Sequence, residues 1–190
     1  MKKKVLVITG TRAEYGLFRP TLRAIEKNRH LELHVLATGM HLLPRYGNTL
    51  SEIKSDSWTH LHIAPISNRN IMLDWLNEEI SGIKKVCESI KPNLILVLGD
   101  RDEPLAGAIV GTHLNIPVAH IHGGDVTGTV TVDDRIRDAI TSFSKLHFPV
   151  SEKSATRIKQ ILGHKTKHVF LAGSVGSEEM NEVLNKNLLA

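Results

Sequence analysis

The chain has 190 residues, 41% hydrophobic and 23% charged, which is typical of a folded globular protein and excludes a disordered one. Its formal net charge of +4 comes from 24 basic and 20 acidic residues spread along the sequence, so no basic stripe indicates nucleic-acid binding. With one cysteine, Cys87, and no apolar run of the roughly 18 residues that a membrane span needs, we expect a cytoplasmic protein without membrane segments or disulfides.

Short apolar runs typical of β-strands recur along the chain. Seven are predicted, at residues 4–9, 32–38, 59–66, 93–99, 117–121, 146–150 and 168–172. The run Leu94–Leu98 is apolar at every position, which is typical of a strand covered on both faces of a parallel sheet. Aromatic residues make up only 4% of the chain, which favours packed α/β layers over a β-sandwich.

Helical patterns separate these strands. The clearest covers residues 69–90, where apolar residues recur at intervals of four, three, four and three. A second helix is predicted over residues 104–114, and a third from about Asp133, with Phe143 among its buried residues. A fourth is predicted after Ser151, which would be its N-cap. Residues 39–48 are interpreted as a surface loop. Alternating strands and helices with short links predict right-handed βαβ units, and therefore a doubly wound, mainly parallel, Rossmann-like sheet.

Polar segments follow three of the predicted strands. In a sheet with the order 3-2-1-4-5, ligands bind at the carboxyl ends of the strands, between the first and the fourth. The first strand ends in residues 9–14 (TGTRAE), the fourth in residues 99–103 (GDRDE) and the fifth in residues 120–125 (HIHGGD). We therefore expect these three segments to be neighbours.

The turn after the first strand contains a candidate anion-binding residue, Arg12. Gly10 allows a tight turn into a helix whose N-terminal N–H groups attract anions, and an arginine there can bind phosphate in a bidentate manner. An ordinary turn with a solvated arginine explains the same residues. Because the segment is not GxGxxG, no dinucleotide cofactor is expected.

Asp100 is the candidate carboxylate after the fourth strand. It can accept a proton or bind a sugar hydroxyl, whereas Asp102 and Glu103 are also explained as caps of the next helix. Asp133 and Arg137 are four residues apart, so they share a helix face. The preceding loop, residues 123–132, begins with paired glycines that let the backbone approach a ligand, and it resembles a substrate loop more than a connector.

Two histidines of the fifth strand raise the alternative of a metal site. His120 and His122 alternate along the strand and, with Asp125, would supply metal ligands to a metal-dependent hydrolase. Such pairs are more often structural, and His60 and His62 show the same spacing with no further ligand beside them in the sequence. We therefore expect no metal.

Five motifs in this order resemble the hydrolysing UDP-N-acetylglucosamine 2-epimerases of sialic-acid-type sugar synthesis. They are residues 10–16 (GTRAEYG), 38–42 (TGMHL), 99–101 (GDR), 120–125 (HIHGGD) and 133–141 (DDRIRDAIT). The likeness extends through residues 172–174, and five motifs in the correct order are far more specific than any one of them.

The resemblance implies half of a two-domain fold of the glycosyltransferase-B type, with the active site between the halves. Residues 1–173 would form the N-terminal domain, and residues 174–190 would begin the interdomain connection or a C-terminal helix. The implied reaction is anti elimination of UDP from a UDP-sugar substrate, followed by addition of water to the glycal, giving N-acetylmannosamine. It implies neither a metal nor another cofactor, and it suggests a homodimer.

The resemblance also implies roles for individual residues. By motif position, Arg12 would help to hold the nucleotide-sugar, and Asp100 and Asp133 would be catalytic carboxylates. Arg137 would orient Asp133 or bind a phosphate.

The sequence departs from the family at two places. Many members carry a glutamate where this chain has His122, so that role passes to His122 or Asp125, or is lost. We expect His122 to end the fifth strand and to point into the same crevice as Asp100, where nearby carboxylates would raise its pKa and burial would lower it. The sequence also stops about where the family enters its second domain. The alternative function is therefore a non-catalytic nucleotide-sugar-binding half that needs a separate C-terminal domain.

Overall fold

The structure, a computed structural model, describes residues 1–47, 49–67, 71–126, 131–163 and 168–176. Its centre is a six-stranded sheet with the order β3-β2-β1-β4-β5-β6, in which every neighbouring pair is parallel. The strands are β1 (Lys3–Thr9), β2 (Leu31–Ala37), β3 (Leu61–Ile63), β4 (Leu94–Leu98), β5 (Val118–Ile121) and β6 (Leu146–Phe148).

Helices cover both faces of this sheet. They are α1 (Arg12–Lys27), α2 (Leu50–Ser55), α3 (Met72–Ile90), α4 (Asp102–His113), α5 (Val132–Phe143) and α6 (Glu152–Leu162), with two 3₁₀ turns at Gly39–Leu42 and Pro44–Tyr46. Successive side chains of a strand point to opposite faces, so Val5 and Val7 pack with α1, whereas Leu6 and Ile8 pack on the side of α3, α4 and α5. The predicted doubly wound parallel sheet is thus confirmed, and β6 extends the expected strand order.

Several local predictions need correction. The strand predicted over residues 168–172 is reduced to one isolated parallel bridge, between His147 and Val169. The helix predicted from residue 69 begins at Met72, and its first two predicted residues lie outside the described part of the chain. The loop predicted over residues 39–48 is not simply a surface loop, because it contains two 3₁₀ turns and His41, in the first of them, is completely buried.

Phe143 was predicted to be buried, but it is 39% exposed. The buried face of α5 is centred on Arg137 and includes Asp134, Ile140 and Thr141. At 100° per residue, Phe143 lies roughly 120° away from Arg137 around the helix axis, on its flank. A polar network, described below, therefore sets the rotation of this helix.

Two further expectations concern the ends of elements and of the chain. Ser151 is the N-cap of α6, as predicted, since its hydroxyl accepts a hydrogen bond from the Ser154 N–H. The domain boundary at residue 173 stays a prediction, because residues 177–190 lie outside the described residues. No helix in the described ranges is long and apolar enough to cross a membrane.

Candidate active site at the carboxyl edge of the sheet

The polar segments after β4 and β5 meet at one edge of the sheet, together with the first turns of α5. Arg137 joins them. Its guanidinium forms an ion pair with the Asp100 carboxylate after β4, donates to Asp134 Oδ1 at 3.0 Å and donates to the Asp125 backbone carbonyl at 2.9 Å. The Arg137 side chain is only 8% exposed, so these partners replace most of the water that a guanidinium otherwise binds, while its Nε is buried without a hydrogen-bond partner among the described residues.

The family resemblance implied that Arg137 would orient Asp133 or bind a phosphate, but in the structure Arg137 pairs with other carboxylates. Its carboxylate partners are Asp100 and Asp134, and Asp134 is itself fixed by a capping box with Thr131 at the start of α5. Asp133 is exposed in the first turn of the same helix. Its charge acts on Asp102, whose pKa is raised first by burial and further by Asp133. Asp133 therefore lies at the rim of the site.

His122 directly follows β5 and has an unusual backbone conformation. Its φ of 62° lies in the left-handed region, which is uncommon for a residue other than glycine, and its N–H donates to the Phe148 carbonyl at 3.1 Å. Burial lowers the pKa of His122 below 6.5, and the opposing charges of Asp125 and Asp100 do not reverse that direction. Its Nε2 atom is buried without a hydrogen-bond partner among the described residues, so the neutral ring offers a free nitrogen.

His120 has a structural environment. It is fully buried, its Nε2 donates to the Gly99 carbonyl at 2.7 Å, and its Nδ1 pairs with the Thr141 hydroxyl at 3.2 Å. Burial lowers its pKa to about 3. Both ring nitrogens are engaged, which leaves His120 unsuited to the metal site considered with His122 and Asp125.

The paired glycines after β5 serve packing within the domain. Gly124 has a φ of 78°, and a Cβ there would clash with the Ser154 carbonyl of α6. A Cβ on Gly123 would lie 2.9 Å from His120 Nδ1 and 3.0 Å from Thr141 Oγ1. The Asp125 carboxylate accepts a hydrogen bond from the Ser154 hydroxyl, which fixes this turn against α6. The expected ligand approach is therefore replaced at Gly124 by contact with α6, and at Gly123 by contact with His120 and Thr141.

The turn after β1 also differs from expectation. The Gly10 N–H donates to Glu14 Oε2 at 2.8 Å, so a side chain of α1 occupies the anion position at its own N-terminus. Arg12 pairs with Glu52 of α2 at 2.9 Å, and its side chain is 72% exposed. It lies apart from the contacts of Arg137, yet it remains accessible from solvent.

Sequence reasoning missed a cluster of buried carboxyl groups beside this turn. Burial, reinforced by the charge of Glu103, raises the pKa of Glu14 to about 8 and that of Glu79 to about 9, and burial raises the pKa of Glu103 as well. The Glu103 side chain packs against Gly10 and Gly39, where a Cβ would clash with it. Two signals were present: Thr11 and Glu14 have capping-box spacing, and Glu79 lies on the apolar stripe of α3.

This geometry defines a Rossmann-like α/β domain with a carboxylate–arginine–histidine site at the point where the strand order reverses. Residues 23–189 match the family described as UDP-N-acetylglucosamine 2-epimerase, and the chain belongs to that family.

Individual relatives agree. The chain is 41% identical, over 95% of its own length and 48% of the relative's, to the "UDP-N,N'-diacetylbacillosamine 2-epimerase (hydrolyzing)" of Legionella pneumophila. It is 39% identical, over 90% and 45%, to the "UDP-N-acetylglucosamine 2-epimerase" of Neisseria meningitidis. The chain thus spans about half the length of the curated relatives it matches.

Solved structures show the same fold. A structure of Neisseria meningitidis UDP-GlcNAc 2-epimerase bound to UDP-GlcNAc superposes with a TM-score of 0.84 at 22% identity, covering 96% of this chain and 50% of that one. A crystal structure of a UDP-N-acetylglucosamine 2-epimerase gives a TM-score of 0.82 over 95% of this chain and 51% of that one. The domain therefore has the architecture of one half of these glycosyltransferase-B-like proteins.

Proposed function

We propose that this chain supplies one half of the active site of a hydrolysing 2-epimerase. Its substrate would be UDP-N-acetylglucosamine or a diacetamido relative, as the names of its relatives suggest. The observation that carries the proposal is the buried Arg137, which holds Asp100 at the carboxyl edge of the sheet beside the unpaired Nε2 of His122. We also propose a cytoplasmic location, in keeping with a single, buried, reduced cysteine, Cys87.

The proposed reaction has two steps. A base removes the proton from C2 of the sugar while the C1–O bond breaks, and UDP departs with the electron pair, leaving a 2-acetamidoglucal. Water then adds across the C1–C2 double bond, with its hydroxyl on C1 and a proton delivered to C2 from the opposite face. The products are UDP and N-acetylmannosamine or its diacetamido equivalent. The chemistry requires proton-transfer groups on both faces of the ring and donors that stabilise the departing diphosphate.

The described residues offer these groups in different environments. Asp100 is 25% exposed, so it can contact a ligand while Arg137 fixes its orientation. Burial lowers the pKa of His122 and so favours its neutral form, and its Nε2, buried without a hydrogen-bond partner among the described residues, would accept a proton once substrate reaches it. Asp133, exposed at the rim, is the second proposed catalytic carboxylate.

The substrate-binding assignments differ in strength of support. Arg12 is exposed in the first turn of α1, where rotation away from Glu52 would let it bind a diphosphate. Arg137 is committed to two carboxylates, so we assign it to positioning Asp100 and not to binding phosphate. The Asp125 carboxylate accepts a hydrogen bond from the Ser154 hydroxyl, and its charge favours the protonated form of His122. We therefore assign Asp125 to supporting proton transfer by His122.

The second candidate is a nucleotide-sugar-binding half that acts only with a separate C-terminal domain. The fact that favours it is the extent of the match, about half of each relative. Under either proposal the partners are a UDP-sugar and a second protein surface, in a homodimer or in a pairing with such a domain.

One experiment separates these proposals. The purified chain is incubated with UDP-N-acetylglucosamine or UDP-N,N'-diacetylbacillosamine, alone and with the separately expressed C-terminal half of the Legionella relative. UDP release is followed by a coupled assay, and the sugar product by NMR. Asp100→Asn, which keeps the size of the side chain but cannot accept a proton as a carboxylate does, is run beside the wild type and should release UDP about 10²-fold more slowly.

Release by the chain alone supports the epimerase proposal, and release only with the added half supports the partial-half proposal. If neither sample releases UDP, binding decides the question. A Kd for UDP-N-acetylglucosamine measured by calorimetry would retain the binding half, whereas no heat of binding with or without the added half would refute both proposals.

A further inference from the structure

A second cluster of titratable side chains lies away from the candidate active site. His60 and His62 have no further ligand beside them in the sequence, but the fold brings His34 and Glu32 of β2 next to them. Glu32 and His34 are on the α3 face of the sheet, the same face as Leu36. Glu32 lies five residues before the carboxyl end of β2, about 16 Å from the active-site edge.

The four side chains form a continuous chain of contacts. His34 Nε2 lies 2.8 Å from Glu32 Oε1, and His34 Nδ1 lies 3.0 Å from His62 Nε2. The His60 ring stacks on His34, with ring centroids 4.5 Å apart. One ligand atom from each of Glu32, His34 and His60 lies within 4.8 Å of the other two.

We propose that Glu32, His34 and His60 bind one divalent first-row transition-metal ion, for which Zn²⁺ is the best chemical match. Two imidazoles and a carboxylate are ordinary zinc ligands, and such a site completes four-coordination with water. The ion would replace the hydrogen bond between Glu32 Oε1 and His34 Nε2.

His62 has a different role in this site. When His34 binds through Nε2, its Nδ1–H donates to His62 Nε2, which fixes the tautomer of the ligand. Zinc-bound histidines usually make such a second hydrogen bond, and removing the partner typically weakens binding by about 10- to 100-fold. His62 is therefore a positioning residue.

Binding requires a local rearrangement. In a tetrahedral site with Zn–N bonds of about 2.0 Å, ligand atoms lie about 3.3 Å apart. Glu32 Oε1 and His34 Nε2, now 2.8 Å apart, would separate by about 0.5 Å, and ligand atoms now up to 4.8 Å apart would approach each other by up to about 1.5 Å. Because a metal lies in the plane of each imidazole that binds it, the stacked His60 ring must turn, and its partial exposure gives it room to do so. Lys4 of β1 lies opposite Glu32, and a cation there would compete with a metal ion for the carboxylate. The Lys4 Nζ, however, donates to the Ile90 carbonyl at 3.0 Å.

The site would connect an edge strand to the sheet. β3 has only three residues paired with β2, so it has few hydrogen bonds of its own. An ion bound by residues of β2 and by His60, just before β3, cross-links the two strands. Ligand binding to the folded state alone raises the temperature of unfolding, so metal should stabilise the domain.

The test uses the untagged 190-residue chain after chelator treatment and desalting. Zn²⁺ is titrated by calorimetry, bound metal is counted by elemental analysis, and Co²⁺ replaces Zn²⁺ to report tetrahedral coordination through its visible absorption. We expect one ion per chain, a higher Tm with Zn²⁺, and affinity reduced about 100-fold or more in Glu32→Gln and His60→Gln. His62→Ala should weaken binding by about 10- to 100-fold.

His113→Gln is the matched control, because His113 is an exposed histidine of α4 whose Nδ1 bonds to the Ile109 carbonyl of its own helix. It should bind Zn²⁺ like the wild-type chain. Glu32 and His60 are partly exposed, so their variants test the site even if a variant of the buried His34 fails to fold. Equal Zn²⁺ affinity in the wild type, Glu32→Gln and His60→Gln, or no binding by the wild type, would overturn the proposal.

Discussion

Replacing Glu14 with glutamine tests whether a buried carboxyl group beside the β1 turn keeps its proton at neutral pH. Glu14 is 7% exposed, and its Oε2 accepts from the Gly10 N–H at 2.8 Å. Its Oε1 has no hydrogen-bond partner in the described part of the chain. Glutamine has nearly the same shape as a protonated glutamate and accepts the same hydrogen bond, but it cannot ionise.

The expected effect is a change in the pH dependence of stability. Burial and the charge of Glu103 raise the pKa of Glu14 from 4.5 to about 8, so the unfolded chain loses this proton near pH 4.5 while the folded chain retains it. The folded state then binds more protons, and the free energy of unfolding falls as pH rises between these two values. The slope is at most about 1.4 kcal/mol per pH unit, or roughly 3 kcal/mol by pH 7.

Glu14→Gln removes this contribution. Its free energy of unfolding should gain on that of the wild type steadily from pH 5 to pH 8, and should stop gaining above the folded-state pKa of about 8. An unsatisfied amide donor adds a cost of about 1–3 kcal/mol that does not depend on pH, so the slope is the diagnostic quantity and not the offset.

Urea unfolding followed by circular dichroism at half-unit intervals of pH measures both curves. Glu26→Gln is the matched control, because Glu26 is exposed on the same helix, and its curve should run parallel to the wild type. Parallel curves for Glu14→Gln and the wild type from pH 5 to pH 8 would show that Glu14 ionises normally in the folded protein, and the reasoning from burial would be refuted.

Three further predictions concern the carboxyl edge of the sheet. Arg137→Met leaves two carboxylates without their buried cation, so the free energy of unfolding measured with urea should fall by about 3–5 kcal/mol. In the control Arg135→Met, which changes an exposed arginine of the same helix, it should fall by less than about 0.5 kcal/mol. Under the proposed function, Asp100→Asn and Asp133→Asn should each reduce UDP release by about 10²-fold with an unchanged circular dichroism spectrum, and wild-type rates in either would contradict that assignment. His122→Gln should abolish activity, and His122→Glu should retain it. Because the pKa of His122 lies below 6.5, kcat/KM of the wild type should fall only below that pH. Full activity of His122→Gln from pH 5 to 8 would instead assign His122 a structural role.

The architecture was predictable because its signals are local. A run such as Leu94–Leu98, apolar at every position, is compatible with burial on both faces, and alternation of such runs with helical patterns leaves few topologies other than a doubly wound parallel sheet. The topology then places the ends of β1, β4 and β5 side by side. Sequence reasoning could therefore place Asp100 at this edge, but it did not predict the contact between Asp100 and Arg137, which lie 37 positions apart.

The partners within that edge were not predictable in the same way. Spacing on a helix indicates which residues share a face, and it correctly placed Asp133 and Arg137 one turn apart. It does not indicate which face turns inward, because a contact with another element decides that. Here the ion pair with the Asp100 carboxylate places Arg137 on the buried face of α5, and Asp134 lies on the same face. Asp133 is therefore at the rim, and Phe143 lies on the flank of the helix.

The glycines show the same limit, because a local pattern does not reveal which group will approach a residue in the folded chain. A glycine beside a polar turn is compatible with the approach of a ligand, and equally with the approach of another side chain. At Gly10 and Gly39 the neighbour is the Glu103 side chain, and at Gly124 it is the backbone of α6. In each case the approaching group is distant in sequence, so no local pattern distinguishes the two outcomes. At these three glycines the space beside the backbone is therefore already occupied by the protein itself.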